Sequence, residues 1–279
     1  MGKIAVAVIH GLGSEEQFYS VELKHRITEE YLKSNPGFDE TDLVFHEIYW
    51  GNLISDDLHE FRQKSNYKGD LSYQNLRQIV TDVQAMALLY KPKTAFYESV
   101  NNRIKDEFRR FSSHRGIDQN NTPLIILAHS FGAVVMTNYI NKIRHSNNTS
   151  NGSEQKERSD FELMRTLCGY VTFGNPMGLY AIKNNDLLMT NPDSIAGDKL
   201  SDDLQEMAKW YNFYDKDDII AYPLKGLSEL FDQHVTADIE INVGSAATSW
   251  NPACHTGYWE DKDFYKPVAR FLTEISSVI

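Results

Sequence analysis

Short apolar runs alternate along the chain with longer segments in which apolar residues recur at helical spacing. In the clearest run, residues 123–128, every side chain is apolar, which is typical of a strand covered on both faces. The predicted strands lie at residues 4–9, 43–49, 123–128, 167–173, 210–214 and 239–243. Helices are predicted at residues 16–33 and 131–143. This alternation predicts an α/β fold with a mainly parallel sheet and helices on both faces.

The last predicted helix has one apolar side, formed by Phe264, Val268, Phe271, Leu272 and Ile275. Two stretches, at about residues 51–120 and 175–208, are too long for plain connections. The first contains two predicted amphipathic helices, with apolar stripes at Leu76, Ile79, Val80, Val83 and Met86, and at Phe96, Val100, Ile104, Phe108 and Phe111. We therefore expect a single domain over residues 1–279 with two helical insertions. Residues 175–208 are expected to cover or flank the pocket, with residues 51–75 as a further candidate. A polar surface loop is expected at residues 145–160.

Composition removes several classes of function. The formal net charge of −11 argues against nucleic acid or an anionic membrane surface as the main partner, because phosphate groups require excess Lys and Arg. Two distant cysteines provide neither a zinc site nor a disulfide framework, and we expect no metal. The N-terminal apolar run is too short for a signal peptide, and no run approaches the ~18 to 20 residues of a membrane span. We expect a cytoplasmic protein without an integral membrane segment.

The segment Ala128-His129-Ser130-Phe131-Gly132 follows the clearest strand and directly precedes a helix. A strand that turns at once into a helix holds a serine in a strained conformation and exposes its hydroxyl group. Small residues are needed two positions to either side, because the neighbouring strand and helix are close. Ser130 is therefore the candidate nucleophile. The alternative is that Ser130 only caps the helix.

His10-Gly11-Leu12-Gly13 follows the first strand. Acyl transfer requires two backbone N–H donors for an oxyanion, one directly after the nucleophile and one from a neighbouring loop. Phe131 is expected to provide the first donor and Leu12 the second. The alternatives are a tight glycine-rich turn or a phosphate loop, although the patterns of both common phosphate loops are missing.

A general base should follow the nucleophile in the chain and lie beyond the last strand. Of the nine histidines, only His145, His234 and His255 follow Ser130, and only His255 lies between the last strand and the final helix. A histidine packed among aromatic residues for structural reasons is the alternative for His255.

The acid should follow the predicted strand at residues 210–214, where three aspartates occur close together. One carboxylate would hold His255 in the required tautomer. Asp218 is the first choice and Asp217 the second. Asp215 is nearest the strand and is expected to point along it.

Together, the motifs HGLG, AHSFG, FGNP, DDIIAYP and CHTGYW resemble the α/β-hydrolase superfamily, in particular its lipase and esterase branch. The resemblance covers the whole sheet-forming chain and leaves the two insertions unmatched. It implies a minimal α/β-hydrolase fold, Ser130 as nucleophile, Leu12 and Phe131 as oxyanion donors, Asp218 as acid and His255 as base. The chain departs from the family in having Ala128 where a glycine is usual. It also begins at what would be an internal strand of larger members.

The expected function is hydrolysis of a small-molecule carboxylic ester through an acyl-enzyme, without a cofactor. Thioester cleavage or acyl transfer on the same residues is the first alternative, and a non-catalytic binding module is the second. Tyr49 and Trp50 end a strand where the site is expected, so they line the pocket or pack in the core. His10 and His129 lack carboxylate neighbours and are expected to orient loops. Cys254 adjoins His255 but lacks a strand–turn–helix context.

Overall fold

The computed structural model describes residues 2–12, 17–34, 36–54, 60, 64, 74–147, 157–181, 194–244, 249 and 252–279. The strands are β1 (Ile4–Ile9), β2 (Leu43–Ile48), β3 (Leu124–His129), β4 (Leu167–Phe173), β5 (Lys209–Tyr214) and β6 (Ala237–Glu240). They form one six-stranded sheet in the order β2-β1-β3-β4-β5-β6, and every neighbouring pair is parallel. The predicted parallel sheet is confirmed, with the last strand ending earlier in the chain than expected.

The α-helices are α1 (Val21–Ser34), α2 (Gln74–Leu89), α3 (Ala95–Ser112), α4 (Phe131–Asn147), α5 (Met177–Ala181), α6 (Asp202–Met207), α7 (Glu229–His234) and α8 (Lys262–Ser276). Short 3-10 helices occur at Glu40–Asp42, Gly51–Leu53 and Pro252–Trp259. The prediction that α1 begins at residue 16 is wrong, because residues 17–20 form a turn tied to the sheet. In that turn, the hydroxyl group of Tyr19 donates to the Val8 carbonyl, at 2.6 Å. Helix α4 continues into the segment predicted as a polar loop, of which residues 148–156 lie outside the described residues.

The core has two layers, one on each face of the sheet. Side chains that alternate along β1 supply both: Ala5, Ala7 and Ile9 join one layer, and Ile4, Val6 and Val8 join the other. Helices α2, α3 and α4 cover the first layer. Helices α1 and α8 cover the second, including the whole predicted apolar side of α8. Helices on both faces of a parallel sheet are what the strand–helix alternation predicted.

The predicted apolar stripe of α3 is confirmed, but that of α2 needs correction. Val80 is 39% exposed. The described core contacts of α2 include Val83, Ala85 and Met86. At about 100° per residue, these positions define a face turned away from Val80. The side chains of Leu76 and Ile79 lie outside the described residues, and the single-domain organisation stays a prediction.

Because all six strands are parallel, their carboxyl ends meet at one edge of the sheet. His10 follows β1, Trp50 lies just beyond β2, Ser130 follows β3 and Asp215 follows β5. The central position of β3, between β1 and β4, brings Ser130 to the middle of this edge.

Burial of β3 on both faces generates a prediction about stability. Leu127 is fully buried, so Leu127→Ala should lower the free energy of unfolding by about 2 to 5 kcal/mol. Leu88 of α2 is 69% exposed, and Leu88→Ala should change it by less than about 0.5 kcal/mol. Urea unfolding of both variants measures the difference. Equal losses in the two would contradict the two-layer core.

Candidate active site

Ser130 lies at the turn between β3 and α4 and has a φ of +52°, in the left-handed region that non-glycine residues rarely adopt. Its N–H group donates to the Phe173 carbonyl at 2.9 Å, which extends the pairing of β3 with β4 by one residue. A Cβ atom added at Gly132 would lie 2.4 Å from the His10 carbonyl oxygen. The turn is therefore the strained strand–turn–helix that the sequence predicts, and its second small residue is required by the loop after β1.

The loop after β1 passes directly over Ser130. A Cβ atom at Gly11 would lie 2.4 Å from the Cβ atom of Ser130 and 2.8 Å from its Oγ atom. Leu12 is the next residue and is half-buried, while Phe131 begins α4 and is fully buried. Each candidate oxyanion donor therefore directly follows one of the two residues that approach each other, Leu12 after Gly11 and Phe131 after Ser130. Gly13, the last residue of the predicted loop motif, lies outside the described residues.

Three predicted side chains form one hydrogen-bonded chain. The Nε2 atom of His255 lies 3.0 Å from Ser130 Oγ. Its Nδ1 atom lies 2.8 Å from Oδ2 of Asp218, to which the Nδ1–H group donates. All three residues are buried, with exposed fractions of 3%, 6% and 3% for Ser130, His255 and Asp218. The structure therefore brings together residues that are 125 and 37 positions apart in the chain.

The three aspartates after β5 occupy different environments. Asp215 is fully buried and accepts backbone N–H groups from Asp217 at 2.8 Å and from Val243 at 2.7 Å. It shapes the loop, and does not point toward His255. Asp217 is half-buried, and Asp218 alone of the three bonds to the imidazole. The backbone N–H group of Ile220 reaches the other oxygen of Asp218 at 3.3 Å.

Tyr258 is a member of the site to which the sequence assigned no role. It is fully buried, and its hydroxyl group donates to Oδ2 of Asp218 at 3.1 Å. The same hydroxyl oxygen accepts the N–H group of Asp215 at 2.9 Å. The available signal was the spacing, since Tyr258 follows His255 by three residues in one 3-10 helix, where such residues share a side.

His129 and His10 orient loops around the site, as expected from the sequence. His129 Nε2–H donates to the His255 carbonyl at 3.0 Å. Burial, followed by the proximity of His255, holds the pKa of His129 well below its usual range. His10 Nδ1–H donates to the Gly11 carbonyl, and its Nε2 atom accepts the Trp50 N–H group at 3.1 Å. Burial lowers the pKa of His10 to about 4, so both imidazoles are neutral at pH 7.

Trp50 and Tyr49 differ in their surroundings. Trp50 is fully buried, its ring stacks on His10 at 5.4 Å, and its indole N–H group donates to the His10 carbonyl. The core-packing alternative describes Trp50. Tyr49 lines an open cleft of about 630 Å³ together with Phe18 and Arg103. This cleft lies over the edge strand β2, on the side of the loop that carries His10.

The insertions are described only in part near the site. Tyr180 of α5, in the second insertion, lies 5.5 Å from the ring of Phe131, and its hydroxyl group donates to the Val83 carbonyl. This end of the second insertion therefore packs beside the nucleophile turn and against α2. Residues 194–208 lie away from the site, because the Gly197 N–H group donates to the Leu167 carbonyl at the amino end of β4, the opposite edge of the sheet from Ser130. The prediction that residues 175–208 cover or flank the pocket is therefore wrong for this part. The rest of the prediction falls on residues 55–73 and 182–193, of which all but two lie outside the described residues.

Among the described residues, no His, Cys, Asp and Glu side chains cluster in the way that a metal ion requires. None of the described helices combines the length and the apolar composition needed to cross a bilayer. Both cysteines are buried as free thiols, and burial raises the pKa of Cys168 and of Cys254 to about 12.

The parallel sheet, the strained serine turn after a central strand and the histidine loop before the last helix together define the fold. It is the α/β-hydrolase fold. No family model matches the chain, and no curated protein matches it. The fold assignment therefore rests on topology.

Three solved structures resemble the chain at low sequence identity. A structure from work on two fungal esterases of Rhizomucor miehei has a TM-score of 0.44 and 10% identity, covering 97% of this chain and 73% of that one. Est1E from Butyrivibrio proteoclasticus has a TM-score of 0.38 and 10% identity, covering 99% and 89%. A structure from work on LipS and LipT, two metagenome-derived lipolytic enzymes, has a TM-score of 0.26 and 12% identity, covering 86% and 83%.

The buried neutral histidines predict a loss of stability in mild acid. His10 has a folded-state pKa of about 4 against an ordinary value of 6.5, so the unfolded chain takes up a proton first as the pH falls. Its contribution is complete above about pH 6.5 and is lost progressively toward pH 4. Between about pH 7 and pH 5, His10 alone should lower the free energy of unfolding by about 2 kcal/mol.

Urea unfolding at the two pH values measures this loss. His10→Gln keeps an acceptor for the Trp50 N–H group but cannot titrate, so its pH-dependent loss should be smaller by that amount. His25→Gln is the matched control, because the side chain of His25 is 61% exposed on α1. Identical pH dependence in the wild type and the His10 variant would show that His10 is not held neutral.

Proposed function

We propose that the chain is a serine hydrolase that cleaves a small-molecule carboxylic ester through an acyl-enzyme intermediate. Ser130 is the nucleophile, His255 the general base and Asp218 the acid that orients it. The observation that carries the proposal is the unbroken chain of hydrogen bonds from Asp218 through both nitrogens of His255 to Ser130 Oγ. The serine at its end has a strained backbone conformation.

The geometry accounts for each proton transfer. Because the Nδ1–H group of His255 donates to Asp218, the Nε2 atom carries the lone pair that faces Ser130 Oγ. As Oγ attacks the ester carbonyl, its proton moves to Nε2, and the resulting imidazolium is stabilised by the carboxylate. The same proton then goes to the departing alkoxide. Water then attacks the acyl-enzyme as His255 takes its proton. His255 returns that proton to Ser130 Oγ when the bond between Oγ and the acyl carbon breaks and the acid leaves.

The oxyanion formed in both steps needs donors beside Ser130. The N–H groups of Phe131 and Leu12 are assigned this role, because Phe131 begins the 17-residue helix α4 and Leu12 follows the residue that touches Ser130. The helix adds the positive end of its dipole at the same place. Gly11 is needed for this arrangement, since a Cβ atom there would lie 2.4 Å from the Cβ atom of Ser130 and 2.8 Å from its Oγ atom.

Strain argues against a non-catalytic binding module. A non-glycine residue in the left-handed region costs about 1 kcal/mol or more and persists only where the surrounding structure determines it. Phe18, Lys93 and Met164 also have a positive φ, so what distinguishes Ser130 is the combination of this conformation with the hydrogen bond to His255. Ser130 is not needed as a helix cap in this conformation, because its hydroxyl group faces His255. The acyl group is to be defined by a series of nitrophenyl esters and thioesters of increasing chain length.

The proposal predicts one covalently reactive serine. A fluorophosphonate probe should label the chain once. Ser130→Ala should abolish labelling and lower ester hydrolysis by about 10³-fold or more while the circular dichroism spectrum stays unchanged. Cys254→Ser is the control, because Cys254 is the rival nucleophile next to His255. Labelling that survives in the Ser130 variant but disappears in the Cys254 variant would reject Ser130.

The roles of Asp218 and His255 are tested by comparing each with a control residue of the same type, Asp217 and His234. Asp218→Asn should lower kcat by up to ~10⁴-fold because the tautomer of His255 is lost, whereas Asp217→Asn should have a mild effect. His255→Ala should be as damaging as Ser130→Ala, and His234→Ala should be mild. The pH–rate profile should have an ascending limb, as catalysis by a general base requires. A crippling Asp217→Asn with a silent Asp218→Asn would move the acid by one residue.

A further inference from the structure

The loop of residues 215–218 after β5 is called the acid loop. The hydroxyl group of Tyr258 bonds to both ends of this loop, including the proposed acid of the triad. We propose that Tyr258 is a positioning residue that holds the Asp218 carboxylate against His255 and ties it to the start of the loop at Asp215. This inference rests on the proposed function, because it assigns a role in the same hydrogen-bonded chain.

The contacts of the hydroxyl group are specific to its position. It donates to Oδ2 of Asp218 at 3.1 Å, which is the same oxygen that accepts the Nδ1–H group of His255 at 2.8 Å. It also accepts the N–H group of Asp215 at 2.9 Å. One oxygen atom of the acid therefore has two side-chain donors, and the donor that is not part of the triad is anchored to the backbone where β5 ends.

The ring of Tyr258 is held so that the hydroxyl group has little freedom. Tyr258 is fully buried, and its ring packs 6.0 Å from the rings of both Phe173 and His129. A Cβ atom added at Gly174, which has a φ of +57°, would lie 2.9 Å from the Tyr258 ring. The glycine of the FGNP turn therefore leaves the space that this ring fills.

Burial and the charge of Asp218 raise the pKa of Tyr258 far above its usual range, so the phenol remains protonated and always donates. A donor on Oδ2 disperses part of the negative charge that the carboxylate presents to His255. Removing it should leave more charge on that oxygen and stabilise the imidazolium. It should also release the carboxylate to rotate, which lowers the fraction of His255 in the required orientation.

Other titratable groups face the same place and are unchanged by a substitution of Tyr258. His129 is adjacent to His255, with 4.9 Å between ring centroids, and is kept neutral by burial. The carboxylates of Asp218, Asp215 and Asp217 also lie near the thiol of Cys254, the residue before His255. The pKa of this thiol is raised by burial and by their charges. A change in the pH profile of a Tyr258 variant therefore reports the loss of its hydroxyl group.

The experiment compares Tyr258→Phe with Tyr31→Phe in nitrophenyl ester hydrolysis. Tyr31 is also fully buried, and its hydroxyl group bonds to Ser276 between α1 and α8, outside the site. Tyr258→Phe should lower kcat by about tenfold or more, equally for short and long acyl chains, because Tyr258 is not expected to contact substrate. The ascending limb of its pH–rate profile should move to higher pH. Tyr31→Phe should keep the wild-type kcat and profile.

Substitution of Tyr258 by 3-fluorotyrosine gives a second test that preserves the packing. The fluorinated phenol is a stronger donor, so the ascending limb should move to lower pH, opposite to the Phe variant. Profiles that do not move in either Tyr258 variant, with kcat equal to that of Tyr31→Phe, would overturn the positioning role. Fluorophosphonate labelling that still depends on Ser130 in that case would leave the proposed function standing. Labelling independent of Ser130 would overturn both.

Discussion

The left-handed backbone at Ser130 is the constraint on which the rest of the site depends. A residue in this conformation persists only where its surroundings determine it from several sides. Here the Ser130 N–H group is bound to the end of β4, and the chain on either side of it belongs to a central strand and a long helix. Gly11 and Gly132 then allow the loop after β1 to close over the turn, with no space for a side chain at either position. Strand order, helix packing and loop composition are thus all conditions for the position of one hydroxyl group.

Neutral buried histidines connect the loops around this turn. His10 joins the ends of β1 and β2 through Trp50, and His129 joins the nucleophile turn to the loop of His255. An imidazole can donate with one nitrogen and accept with the other, so the single ring of His10 satisfies two backbone groups that burial would otherwise leave unpaired. The same burial that suits a neutral ring makes protonation unfavourable, which links the order of the site to pH.

The loop after β5 shows how one residue type serves different purposes. Asp215 accepts backbone N–H groups and shapes the loop, whereas Asp218 accepts from His255. The chain between them turns back within three residues, with the Asp218 N–H group donating to the Asp215 carbonyl at 3.1 Å. Tyr258 joins the two from a segment 40 residues away, so the acid and the histidine loop are held together at two points.

Apolar periodicity and local chemistry determined the strand–helix order, the parallel sheet, the turn at Ser130 and the choice of His255 among the histidines. These features depend on neighbours in the chain, which the sequence displays directly. Only tertiary structure decided which aspartate meets His255, because Asp215, Asp217 and Asp218 are alike in type and differ only in direction. It also decided the orientation of α2, where the buried face is rotated away from Val80. Tyr258 entered the site for the same reason: a hydroxyl group acquires a role from the atoms that it reaches, and those atoms lie far from it in the chain.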